Sequence, residues 1–518
     1  MTEDRGRAVV LNLTRFGDIL QTQPVVAGLI GQGLSVSMVC QENFQTAAGL
    51  LDGVDEILPL PGAGLLADLD RSWPEAMNRL RRWVHQALIP DTPDLVLNLT
   101  PGPSSGLLAR LLQGRKCLGF ALDEDGFSAP SSHWAAYLQA ASVNRAASPM
   151  NIVDVFCRMA EIQTPPPFRL RRPDSGAVAQ AEDLLVSGCG ASFQGYIGFQ
   201  LGASDDDRRW PVEFFARLGE LVLDRLNWCP VLLGTSNESA LGSRYRSMSS
   251  APCIDLIGRT KAEELAAVLA VLRFLITNDT GTMHLAAGLG VPLAGIFLST
   301  AQPWDTGPWL EGSLCLEPDL ACHPCSFGRI CQHNLACRRA VSPETVLSCI
   351  ESRERAGEKG LSFSGARVWE SVRDSKGFMD LKSLSGHDAE LRTRWMKIQR
   401  HWYRQLLDNA GFQTFPGDWG RVDDLTSFRQ ELESVSGLLA VFREQMALVA
   451  KIGRPAFRDK AMATWNRLQA MLSEGQCFPI LGRMWQSEAN VLAGDHLVLS
   501  SKVREWEAFV QAWANDLR

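Results

Sequence analysis

Three short runs of this chain carry the residue types that proton transfer and phosphate binding require, each where an apolar strand gives way to a helix. The first is Leu13-Thr-Arg-Phe-Gly-Asp18-Ile-Leu-Gln-Thr-Gln-Pro24. Asp18 opens a helix after a Gly-containing turn, at the strand end where open α/β sheets bind ligands. A carboxylate there can accept the proton of a hydroxyl as general base, or can serve as an N-cap. The turn is not a dinucleotide fingerprint, because Gly-x-Gly-x-x-Gly is absent. The second run is Gly198-Phe-Gln-Leu-Gly-Ala-Ser204-Asp-Asp-Asp-Arg208-Arg209-Trp-Pro211. Small residues let a backbone approach a ligand closely, Ser204 adds a hydroxyl, and a guanidinium aimed at such a loop suits a phosphate. The alternative is a solvated loop whose arginines only neutralise Asp205, Asp206 and Asp207. The third is Thr277-Asn-Asp279-Thr280-Gly281-Thr282-Met-His284-Leu-Ala-Ala-Gly288-Leu-Gly290. The N–H groups of Thr280, Gly281 and Thr282, at a helix start, can hold an anion such as a pyrophosphate. His284, alone more often a core histidine, can add a hydrogen bond or a positive charge in this setting.

A fourth cluster is Cys322-His-Pro-Cys325, followed by Cys331 and Cys337. Four thiolates opened by Cys-x-x-Cys can ligate tetrahedral zinc or iron, with His323 and His333 as further donors; the alternative is a group of reduced thiols.

The elements that position these residues alternate strand and helix, the pattern of parallel sheets. Ala8–Leu13, Ser35–Cys40 and Asp94–Asn98 read as strands, and Ile19–Leu29 and Asn151–Ala160 as helices. A proline-rich linker, Gln163–Gly176, leads to a second series: strands Gly195–Gln200, Pro230–Gly234, Phe274–Thr277 and Leu293–Leu298, with helices from Pro211 and Met283. Two Rossmann-like domains facing a cleft follow, at residues 1–165 and 177–350. After about residue 355 strand patterns give out. Ala389–Leu407, Leu425–Ala450 and Phe457–Ser473 carry apolar residues at helical spacing, and eight of the fifteen tryptophans lie beyond residue 360. These predict an α-helical extension over 360–518 whose tryptophans form its core.

The three runs, in this order, resemble the bacterial heptosyltransferases of glycosyltransferase family 9, including those that build the lipopolysaccharide inner core. The likeness spans Ala8–Ile350, and Ser299–Pro308 resembles the loop that follows the family's last motif. It implies a GT-B fold, an ADP-heptose donor and inversion at the anomeric carbon without a catalytic metal or other cofactor. On that resemblance Asp18 is the base, and Arg208 contacts the donor phosphate where the family often has a lysine. Glu238 binds the adenosine ribose, Asp279 holds sugar hydroxyls, and Thr280, Gly281, Thr282 and His284 hold the diphosphate. The acceptor is then a lipopolysaccharide or other glycan. An iron-binding finger resembling the cysteine cluster occurs in heptosyltransferases that modify protein serines, so a protein acceptor is the first alternative. A non-catalytic assembly protein on the same scaffold is the second, and an epimerase would need an acid–base set not found here.

Composition limits the remaining classes. The chain has 518 residues, 46 % of them apolar and 21 % charged, and a net charge of −7, which gives no basic face for nucleic acid. Its N-terminus lacks a signal-peptide core, and its longest apolar stretch is too short to span a bilayer, which leaves peripheral membrane contact. Thirteen cysteines, most of them scattered singly, argue for reduced thiols and a cytoplasmic setting.

Overall fold

The computed structural model describes residues 5–87, 92–189, 192–354, 363–417, 425–452, 454–491 and 496–518. Its chain divides into two units. The first comprises Met1–Ser128 and Met150–Gly386; the second comprises Ala129–Pro149 and His387–Arg518.

Two sheets organise the first unit. Strands β1 (Arg7–Leu11), β2 (Ser35–Gln41), β3 (Glu56–Leu60), β4 (Leu95–Asn98) and β5 (Lys116–Gly119) form a parallel sheet in the order β3-β2-β1-β4-β5. A second sheet contains β6 (Gly195–Gln200), β7 (Trp228–Leu233), β8 (Ile254–Asp255), β9 (Phe274–Asn278), β10 (Leu293–Ile296), β11 (Leu314–Pro318), β12 (Ala366–Arg373) and β13 (Met379–Ser383). Its order is β13-β12-β11-β10-β9-β6-β7-β8. From β8 to β11 it is parallel, and β12 and β13 add antiparallel to its edge. Helices cover both faces of such sheets, so the inner strands are near-continuous apolar runs: β4, β7 and β9 are buried at every position. Each sheet has one point where strand order reverses, between β1 and β4 in the first and between β6 and β9 in the second. Ligands of open α/β sheets bind outside the carboxyl ends of the strands at these points.

The expected pair of Rossmann-like domains is present, with several corrections. The helix predicted over Ile19–Leu29 is two helices, Phe16–Leu20 and Gln23–Gly31. Pro24 lacks the N–H that a continuing helix would use and sits in the first turn of the second one. The extension does not become helical at residue 360. The expected boundary between 350 and 360 falls mostly on residues 355–362, outside those described, and β12 and β13 then extend the second sheet. Nor does the N-terminal domain run unbroken to residue 165, because Ala129–Pro149 belongs to the helical unit.

In that unit the helix His133–Ala141 is joined to the C-terminal helices by a hydrogen bond from Trp134 Nε1 to Asp408 Oδ1 (2.8 Å). Trp402 and Trp513 stack at 5.9 Å, Trp395 and Trp513 at 5.5 Å, and Trp485 meets Trp506 edge-on at 5.3 Å. All five are buried, so the clustered tryptophans are core. Among the described residues eleven cysteines carry free thiols, while Cys229 departs from the reduced-thiol expectation and is disulfide-bonded. Among the described residues no helix is long and apolar enough to cross a membrane.

Candidate functional site

Buried carboxamides shape the loops at both points of strand reversal. Asn12, just after β1, donates from Nδ2 to Asp18 O (3.1 Å) and Thr22 Oγ1 (3.0 Å), which fixes the start of the Phe16–Leu20 helix. Asn98 ends β4 and donates to Phe120 O (2.8 Å) while accepting from Thr100 N (3.0 Å). Asn278 ends β9 and donates to Gln200 O, Leu201 O and Gly202 O at 3.2, 3.2 and 2.9 Å. Its Oδ1 accepts Trp210 N at 2.9 Å. One side chain thus clamps both ends of the loop carrying Ser204 and Arg208. Each of these three asparagines is fully buried.

Asp18 is the third residue of its helix, not the N-cap. The N-cap is Arg15, whose backbone N–H reaches back to Asp18 Oδ2 at 3.4 Å. The carboxylate is half-buried, and this long bond leaves its other oxygen for a ligand.

The two arginines after Ser204 separate. Arg209 pairs with Asp206 at 2.8 Å, which is the charge-neutralising role the sequence allowed. Arg208 turns the other way. Its Nε and Nη2 donate to Thr300 Oγ1 at 2.9 and 2.6 Å, and Nη1 lies 3.7 Å from Asp279 Oδ2. The guanidinium also lies over the Phe327 ring, 5.5 Å from its centre.

The third run forms the helix Gly281–Leu289, beginning two residues before the expected Met283, with Thr280 as N-cap. No side chain caps this helix: Thr280 Oγ1 bonds Thr277 Oγ1 (3.1 Å) and Thr282 Oγ1 donates to Gln200 Oε1 (3.0 Å). Its first N–H groups and dipole are therefore suited to an anion. His284 is buried in the first turn, with its ring against Gly17.

Gly17 and Gly281 bring the first and third runs together. A Cβ on Gly17 would lie 2.9 Å from His284 Cδ2 and 3.2 Å from Gly281 Cα; one on Gly281 would lie 2.8 Å from Phe16 Cδ1. Only two glycines allow the helix of Asp18 to touch the helix start that suits a diphosphate. Beside them opens a cavity of about 880 Å³, lined by Arg15, Ser204, Arg208, Thr300, Phe327 and Arg329 among others. Asp18, Thr280, Gly281, Thr282 and His284 are not among its lining residues and sit at the glycine contact. Glu238 stands apart from both. Its Oε2 accepts Thr235 N (2.7 Å) and Thr235 Oγ1 (3.2 Å), and its Oε1 packs on Gly202.

The cysteine run forms one wall of the cavity through Phe327–Cys331. Cys331 Sγ accepts two backbone N–H groups, from His333 and Leu335, both at 3.4 Å. Burial first, and then the neighbouring thiols, push Cys325 and Cys337 above the ordinary thiol range. Among the described residues no three of Cys322, Cys325, Cys331 and Cys337 bring their thiols within 4.8 Å of one another, so the expected ligand set is not assembled as a tetrahedral zinc or iron site needs. His323 is not positioned as an added ligand: it is buried, with Nδ1 at 3.3 Å from Glu317 Oε2.

Residues 81–333 match the family model described as glycosyltransferase family 9 (heptosyltransferase). This region belongs to glycosyltransferase family 9. The match is narrower than the likeness over 8–350, and Asp18 lies outside it. A lipooligosaccharide heptosyltransferase 2 of Haemophilus influenzae is 29 % identical over 113 residues, which are 21 % of this chain and 32 % of that protein. The chain therefore spans about a third of the length of that curated relative. Among solved structures, a glycosyltransferase family 9 protein of Veillonella parvula superposes with a TM-score of 0.56 at 20 % identity, covering 68 % of this chain and 98 % of that one. The E. coli ADP-heptose lps heptosyltransferase II gives 0.50 at 17 % identity, covering 68 % and 100 %. These two likenesses establish the GT-B fold.

Within the family 9 fold, the runs singled out in the sequence occupy the strand ends where the fold binds ligands. Sequence reasoning gave no role to Arg15, Thr300 or Phe327, which wall the cavity, nor to Asn12 and Asn278, which shape its loops. Arg15 and Asn278 stood inside the quoted runs. Thr300 and Phe327 stood inside the Ser299–Pro308 loop and the cysteine run, but they reach Arg208 across about a hundred residues of chain, and no local pattern shows that contact.

Proposed function

We propose that the chain transfers a heptose from an ADP-heptose donor to a sugar hydroxyl of a lipopolysaccharide-type glycan, with inversion at the anomeric carbon. The observation that carries this reading is the Gly17–Gly281 contact, which sets the helix of Asp18 against the uncapped N-terminus of Gly281–Leu289. The relatives named above supply the sugar and the acceptor class.

In this reading the Asp18 carboxylate takes the proton of the acceptor hydroxyl. The acceptor oxygen forms its bond to the anomeric carbon as the bond to the diphosphate oxygen breaks on the opposite face. The electron pair leaves with ADP. Negative charge growing on the departing phosphate is met by the N–H groups of Gly281 and Thr282, by the helix dipole, and by Arg208, whose guanidinium lies 3.7 Å from Asp279 just ahead of that helix. Thr300 and Asp279 hold the Arg208 guanidinium in advance, so little reorganisation accompanies reaction. Asp279 and His284 orient the sugar and the diphosphate. Glu238 reaches the ribose only with the oxygen that does not cap Thr235. A cytoplasmic setting is part of the proposal, supported by the eleven free thiols.

The test is incubation with a panel of nucleotide sugars and a heptose-deficient glycan or a serine-rich polypeptide, following released nucleotide. The proposal expects ADP from ADP-heptose, with the glycan as acceptor. Release only with the polypeptide would reassign the acceptor, and no release from any donor would leave a non-catalytic scaffold.

A further inference from the structure

The helix Thr426–Ile452 carries one buried apolar seam and, beside it, a row of residues whose apolar members are exposed toward its C-terminal end, at Val441, Leu448 and Ile452. The inner seam is Phe428, Leu432, Val435, Leu439, Phe442, Met446 and Val449, all buried, with alternating spacings of four and three. That is the heptad pattern of helix-on-helix packing, and the helices Pro455–Glu474 and His496–Asp516 pack against this one. One residue back along the chain runs a second heptad series: Ser434, Leu438, Val441, Gln445, Leu448 and Ile452. Here Val441, Leu448 and Ile452 are 45, 40 and 45 % exposed. A surface helix needs one apolar stripe; Leu438 and Gln445 of the second row are partly buried, and the exposed Val441, Leu448 and Ile452 in heptad register suit a further helix docking alongside.

The flanking charges say which helix. If two copies of the seam meet antiparallel, Val441 lies opposite Ile452 of the second copy, and Gln445 opposite Leu448. The reciprocal layers follow by two-fold symmetry. In that register the positions beside the seam place Glu444 of one copy against Lys451 of the other, twice. Both side chains are exposed, and neither has an ion-pair partner among the described residues. A parallel pairing would instead put the two copies of Glu444, and the two of Lys451, on opposite sides of the seam, so that no opposite charges meet. The seam is therefore complementary to itself in one orientation only. Four layers over residues 441–452 span about 18 Å of helix, enough for a reversible rather than a permanent contact.

We infer that the exposed Val441–Ile452 seam is a self-association surface, through which two copies of this chain pair by an antiparallel helix contact. The inference is independent of the proposed transfer reaction, because no residue of the seam belongs to the family 9 region.

Sedimentation equilibrium of the full chain over a range of concentrations tests it. The wild type should show a monomer–dimer equilibrium. Leu448→Asp should abolish dimerisation, and Lys451→Glu should weaken it about tenfold or more, since it puts like charges together at two places. The double variant Glu444→Lys/Lys451→Glu should restore the wild-type constant. All three substitutions fall on exposed positions, and circular dichroism would confirm that the helices persist. A chain monomeric throughout, a dimer indifferent to Leu448→Asp, or a charge swap that fails to restore association would each overturn the inference.

Discussion

Replacing Gly17 with alanine probes the contact on which the site is built. The new Cβ would lie 3.2 Å from Gly281 Cα, whereas carbon atoms pack at about 3.5–4.0 Å, so the two segments must part by about 0.5 Å. Rotating a side chain cannot relieve this, because Gly281 Cα is backbone and the His284 ring, at 2.9 Å, is buried. Alanine also favours the helix by up to ~1 kcal/mol, against an overpacking cost of ~1–3 kcal/mol, so global stability should change little. Reaction geometry is less forgiving. A misplacement of about 1 Å can cost ~10²-fold, and half of it should lower kcat/KM for transfer by about tenfold. ADP affinity, set mainly by the second sheet, should stay within about threefold on the same argument. Gly31→Ala is the control, since a Cβ there meets nothing within 4 Å. Steady-state ADP release gives kcat/KM and calorimetry gives the affinity. Wild-type kcat/KM in Gly17→Ala, with its fold intact, would refute the claim that the glycine contact sets the reacting geometry.

Three other outcomes follow from the same geometry. Arg208→Ala should weaken ADP binding by ~1.5–3 kcal/mol, the worth of a hydrogen bond to a charged group; unchanged calorimetric affinity would remove Arg208 from the site. Asn278→Ala should destabilise the chain by ~2–3 kcal/mol in denaturant unfolding, because it strips buried partners from both ends of the Ser204–Arg208 loop. If the four-cysteine loop holds a metal, purified protein should contain about one zinc or iron per chain and lose it in Cys331→Ser. Metal analysis finding none, with all four thiols freely titratable, would leave a reduced cluster.

Much of the site was legible because its chemistry is local. A strand end, a small-residue turn and a helix start recur in Asp18, in Ser204–Arg208 and in Asp279–His284, and each fell at a point of strand reversal. What escaped depends on distant chain. Nothing near Thr300 or Phe327 marks them as neighbours of Arg208, and nothing in His133–Ala141 shows that it packs with helices beyond residue 387. The strands Ala366–Arg373 and Met379–Ser383 lie where composition turns helical; the first pairs with Leu314–Pro318 and the second with the first, and that pairing is what makes them strands. Asp18 shows a further limit. Residue type allowed either a base or an N-cap, and only the N-cap is excluded: the side chain sits at the third helical position, facing the backbone of Arg15.

The most direct test of the account is therefore Asp18→Asn, assayed for turnover and for ADP binding in the same preparation. Asparagine can still accept the Arg15 N–H, so folding and ADP affinity should be preserved. It cannot take a proton from the acceptor hydroxyl, and ADP-heptose turnover should fall by ~10²-fold or more. Wild-type-like turnover would return Asp18 to its backbone hydrogen bond and contradict its assignment as the base.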